Sequence, residues 1–103
     1  MEIISRDMID YTVAGHSLID IANYNEYLVL KLMREVYKKD DGLCSCSLCV
    51  EDIFALTLNS LSPRYIQVTS VRTYEESKYF IKEEEVRAKL MESVEKVRSN
   101  PTH

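Results

Sequence analysis

A small, mainly α-helical single domain with one short strand is what this sequence predicts, and three observations predict it. Only two glycines and two prolines occur in 103 residues, too few breakers for the many turns of an all-β sandwich. Apolar residues recur at helical spacing along most of the chain, whereas β-type alternation occurs in a single short run. A chain of this length makes one domain with one modest core.

Residues 1–20 show no clean period and read as an N-terminal extension with room for a short helix; the domain is expected over residues 21–103. Asn23-Tyr24-Asn25-Glu26 forms a capping box that opens the first helix. Val29, Met33, Val36 and Tyr37 share one face of it, while Tyr27, Leu30 and Arg34 form a second set with Leu28 and Leu32 between. A helix apolar on so many sides needs cover on two of them, and a second copy of the chain supplies it. A two-fold symmetric homodimer is therefore expected, with residues 24–37 and a strand at residues 65–71 at or near the interface.

Lys38 and Lys39 suit the negative end of this helix, and Asp41-Gly42 reads as the turn that follows. The run Cys44-Ser45-Cys46-Ser47-Leu48-Cys49 comes next and contains all three cysteines of the chain. Ser47 reads as the N-cap of a second helix, with Glu51 and Asp52 near its positive end. Ile53, Phe54, Leu56, Leu58 and Leu61 make this the central core helix, which must stop before Ser62-Pro63.

Tyr65 to Val71 alternates, with Ile66 and Val68 on one face and Gln67 and Thr69 on the other, so one strand is expected there. It needs a partner, within the chain or across the dimer. Thr73 and Glu76 form a second capping box opening one long helix. Its stripe is Val86, Leu90, Val94 and Val97, and Asn100-Pro101 ends it.

A formal net charge of −4 and a pI near 5.2 argue against a DNA-binding footprint. The charged N-terminus is not a signal peptide, and no run approaches the ~18–20 apolar residues of a membrane span. A cytoplasmic protein is expected. Thiols stay reduced there, so clustered cysteines point to metal before disulfide.

Zinc accepts thiolates and imidazoles at the corners of a tetrahedron. The spacing C-x-C-x-x-C supplies three corners from a loop and a first helical turn, where amide N–H groups and the helix dipole stabilise thiolate charge. Unligated cysteines bury singly instead of clustering, and a disulfide within C-x-C would be strained. His16, His103 and Asp52 are the candidates for the fourth corner, and spacing alone does not choose among them. Three thiolates leave little Lewis acidity and no acid/base cluster accompanies them, so no enzymatic activity is expected.

Asn23, Glu26 and Val29 in N-x-x-E-x-x-V, then C-x-C-x-x-C-x-x-D ending at Asp52, then A-L-x-L-N-x-L-x-P-x-Y from Ala55 to Tyr65, and V-x-x-N-P-T-H at the C-terminus together resemble the ComFB family of late competence proteins. The resemblance covers about residues 20–103, and the block from Cys44 to Tyr65 is its specific part. It implies a small helical homodimer, zinc on Cys44, Cys46 and Cys49, and a further ligand from near the C-terminus, which matches His103. Some ComFB-like proteins are cyclic di-GMP receptors, several of which lack the cysteines, and the function expected of this chain is a zinc-stabilised dimeric cyclic di-GMP receptor that signals through a protein partner.

A cyclic dinucleotide needs cations for its phosphates and planar groups for its bases. Arg64 offers the fork and Tyr65 a stacking face, with Arg72, Asn59 and Asp52 as further candidates. The plainer reading makes Pro63-Arg64-Tyr65 a helix-to-strand connection with Tyr65 packed and Arg64 solvated. The competing function is a structural or adaptor zinc-binding dimer of a competence or surface-appendage system, without a nucleotide ligand.

Overall fold

The computed structural model describes residues 6–101. Three helices make the core. They are α1 (Tyr24–Lys39), α2 (Ser47–Asn59) and α4 (Glu83–Ser99), with α3 (Val71–Phe80) to one side. Leu28, Val29, Leu32 and Met33 of α1 meet Ile53 of α2 and the full stripe Val86, Leu90, Val94 and Val97 of α4. Leu32, Ile53 and Leu90 are wholly buried. Each such side chain stabilises the fold by about 1.5–3 kcal/mol relative to exposure. The period-3.6 stripe on α4 is thus a core stripe. On α1 the first expected set faces the core, with Val29 and Met33 buried and Val36 and Tyr37 packed against it, together with Leu28 and Leu32; Tyr27 and Leu30 of the second set face outward.

The expected single strand is corrected to four short ones, among the described residues, in two antiparallel pairs. Strand β3 (Ile21–Asn23) pairs with β4 (Tyr65–Gln67), placing Ala22 opposite Ile66. The strand at Tyr65 therefore finds its partner within the chain. It ends at Gln67, and Val71 already belongs to α3. The N-terminal region carries β1 (Thr12–Val13) and β2 (His16–Ser17) behind a single 3-10 turn at Arg6–Met8. Ala14 and Gly15 at the hairpin tip have φ of 51° and 79°, the arrangement of a type I′ turn.

Three further expectations are corrected. The long C-terminal helix is two, because Ile81 and Lys82 are extended (ψ 116° and 122°). Ile81 packs against the core there, and Glu83, Glu84 and Glu85 occupy the positive first turn of α4. The α3 cap is Ser70, whose side chain accepts from Thr73 N, three residues before the expected box. The α2 cap is Cys46, not Ser47. Glu51 and Asp52 lie beyond the first turn, which holds no acid.

Asn23 caps α1 by accepting from Asn25 N at 3.2 Å. The same oxygen accepts from Arg64 N at 3.0 Å, and Tyr24 N donates to Arg64 O at 2.7 Å. One asparagine thus joins the start of α1 to the entry of β4. Among the described residues no helix is long and apolar enough to cross a membrane.

Candidate metal centre

The sulfurs of Cys44, Cys46 and Cys49 all lie within 4.8 Å of one another. Three local features gather them. Leu43 is buried in the core and anchors the loop. The Tyr37 hydroxyl, from the last turns of α1, donates to Cys44 O at 2.9 Å. Cys46 caps α2 and accepts from Cys49 N at 3.5 Å, which turns Cys49 back toward the loop. A tetrahedral Zn–S site places its sulfurs about 3.8 Å apart, so roughly 1 Å of side-chain closure completes the triangle. The donor set fits zinc, or another ion with a taste for soft ligands.

Charge is unevenly shared among the thiols. The Cys49 amide and the neighbouring Cys44 thiol donate to Cys46 and hold it below the ordinary range. Burial pushes Cys49 up to about 12, with Cys44 and Cys46 adding to the rise. Cys46, at the capping position, therefore gives up its proton before Cys49 does. A cation at the centre of the cluster reverses that preference and ionises all three. Burial also raises Tyr37, reinforced by the nearby thiols, which keeps its hydroxyl a donor.

A cleft of about 210 Å³ opens beside the cluster, lined by Cys44 and Cys49 on one side and by Val97, Arg98 and Pro101 on the other. The end of α4 is held against this loop by Arg98, whose Nη2 donates to Asp40 Oδ2 at 2.6 Å. Sequence reasoning missed Tyr37, Asp40 and Arg98. No local pattern pairs Asp40 with Arg98, 58 residues further on.

Of the expected fourth ligands, His103 lies outside the described residues. His16 sits in exposed β2 and Asp52 is half-buried on α2; neither belongs to the sulfur cluster, the one group of three or more candidate metal-binding side chains among the described residues. Arg64 and Tyr65 lie at the other end of α2, whose thirteen residues span about 20 Å. Arg64 is half-buried. Its Nε donates to Ser77 Oγ at 3.0 Å, and its guanidinium lies 5.6 Å over the Phe80 ring. Tyr65 is 66% exposed instead of packed. Asn59 is exposed at the end of α2, and Arg72 is ion-paired with Glu76 at 3.1 Å.

A family model described as late competence development protein ComFB matches residues 22–101. The structure of the late competence protein ComFB from Bacillus subtilis is similar to this one, with a TM-score of 0.64 and 26% identity, covering 80% of this chain and 92% of that one. No curated protein matches the chain.

Proposed function

The chain belongs to the ComFB family of late competence development proteins, and we propose that it works there without catalysis, as a regulatory homodimer clipped by one zinc ion per chain. The observation that carries this reading is the sulfur triangle closed against the end of α4. Cys44, Cys46 and Cys49 would hold the ion and His103 would complete it. Pro101 already lines the cleft, and two further residues reach up to about 7 Å. An ion saturated by protein ligands supplies folding energy and no open coordination position for a substrate. Three reduced thiols suit the cytoplasm.

Cyclic di-GMP is the ligand we propose for the dimer, with Arg64 and Tyr65 from each chain and the signal passed to a protein partner. Ser77 and Phe80 fix the Arg64 guanidinium, and Tyr65 stands open beside it. The same bonds favour the second reading, an adaptor without nucleotide, because they already employ Arg64 inside the fold. Calorimetry on nucleotide-stripped protein separates the two. A receptor gives saturable heats at micromolar nucleotide, and Arg64→Ala weakens binding about ten- to a hundredfold. Flat heats at about 100 µM nucleotide, with an unchanged melting temperature, leave the adaptor.

A further inference from the structure

The N-terminal arm is built but covers nothing. Its hairpin is in register, with Thr12 opposite Ser17 and Val13 opposite His16; Leu18 N donates to Tyr11 O at 2.9 Å, and Asp10 Oδ1 accepts from Thr12 N at 2.9 Å. Yet every residue from Thr12 to Asp20 is exposed. Among them Val13, Leu18 and Ile19 are 62, 46 and 52% exposed, and Met8 and Ile9 before them are open as well. An ordered segment with this much apolar surface in water is unfavourable alone. The family match begins only at residue 22, so the arm is a feature of this chain beyond that match.

A receptor of the right character lies on the same chain. Tyr24, Tyr27 and Tyr74 pack edge to face or tilted, with ring centroids 5.6–6.3 Å apart. These three rings are shared by two clefts. One, of about 390 Å³, is apolar and continues over Leu30, Ile66 and Val68. The other, of about 420 Å³, carries Lys31, Lys78 and Lys82 against Glu83 and Glu84. The lysines of the second are already engaged within the chain, Lys31 with Glu83 at 3.1 Å and Lys78 with Glu75 at 3.5 Å, so the apolar cleft is the one that calls for an occupant. The arm offers apolar side chains for it in Val13, Leu18 and Ile19.

The exposed area says how much cover is missing. The chain exposes 7800 Å², about 1800 Å² more than the roughly 6000 Å² of a compact protein of this mass. Its radius of gyration is 15.7 Å, against about 13 Å expected. A standard interface hides about 800 Å² on each partner, a little under half of the excess. We infer that two copies exchange arms: the hairpin of each lies in the apolar cleft of the other. Each chain carries both arm and cleft, so the exchange closes under two-fold symmetry with no arm left over.

The inference rests on the homodimer proposed above, and the test separates the two. Three full-length proteins are compared by light scattering at about 10 µM, with circular dichroism as the check on folding. They are the unaltered chain, an arm variant with Val13→Lys and Leu18→Lys, and a cleft variant with Leu30→Lys; all three positions are exposed, so the fold should survive. Expected are twice the single-chain 12.0 kDa for the unaltered chain, dimer affinity weakened about a hundredfold in each variant, and dimers recovered when the variants are mixed. Mixing recovers them because one intact arm then meets one intact cleft, which a contact of arm on arm or cleft on cleft cannot do. A folded arm variant that stays fully dimeric overturns arm exchange and leaves the homodimer in place. So does a mixture in which no dimer returns. An unaltered chain that is monomeric overturns both.

Discussion

Helices α4 and α3 adjoin in sequence and could hardly be held more differently. Five residues of α4 are buried, Val86, Leu90, Ser93, Val94 and Val97. In α3 only Ser77 is, while Val71, Tyr79 and Phe80 are 75, 72 and 64% exposed. The first helix is held by burial of a continuous apolar stripe. The second is held by polar ties: the Ser70 cap, Ser77 bonded to Thr73 O at 2.8 Å and to Arg64, and Lys78 4.7 Å over Tyr74. One region carries the stability of the domain and the other presents surface. The sulfur cluster belongs to the first, since it lies between the loop before α2 and the end of α4.

Truncations should reproduce that contrast. Leu90→Ala, at a wholly buried site touching α1 and α2, should destabilise by about 2–5 kcal/mol in chemical denaturation. A cost below about 1 kcal/mol would mean that α4 is not central. Cys46→Ser is next. Serine is a good N-cap, so α2 keeps its start while the metal loses a ligand. With free zinc at about a thousand times its dissociation constant the lost stabilisation is about 4 kcal/mol, read as a melting temperature that no longer responds to chelator. His103→Ala should lower zinc affinity and leave the three thiolates holding the ion. Unchanged affinity would exclude His103 as a ligand.

The smaller effects sit in α3. Ser70→Ala should cost about 1 kcal/mol through the lost cap. Phe80→Ala should cost about 0.5–1 kcal/mol, mainly the contact with Arg64, because its ring is already largely in water. A loss as large as that of Leu90→Ala would break the distinction between the two helices.

The part of the molecule that the sequence made legible is the part held by burial. Val86, Leu90, Val94 and Val97 announce their face through spacing, and the bounds of α1 follow from Asn23 and the lysine pair. The cysteines were legible because three soft ligands so close together serve little else. What escaped notice was held by polar or very short elements. Strands of two or three residues have no period to detect, and an Ala-Gly tip lacks the Asn-Gly signature of a tight hairpin. The break at Ile81-Lys82 contains neither glycine nor proline; three consecutive glutamates, suited to a new helix start, were its only mark. Cys46 was overlooked as a cap because a thiol is not among the usual capping groups, although a charged one accepts an amide proton well. Arg64 was read as either a free ligand or a solvated side chain, and its tie to Ser77 depends on α3 folding back, which no local pattern encodes.

The central claim is that the sulfur triangle is a metal clip, and a native mass spectrum of protein purified without chelator and kept reduced tests it most directly. The account predicts one zinc for each chain in the unaltered protein and none in Cys46→Ser, with both remaining folded. Well under half a zinc per chain in the unaltered protein, or equal metal content in the two, would contradict it.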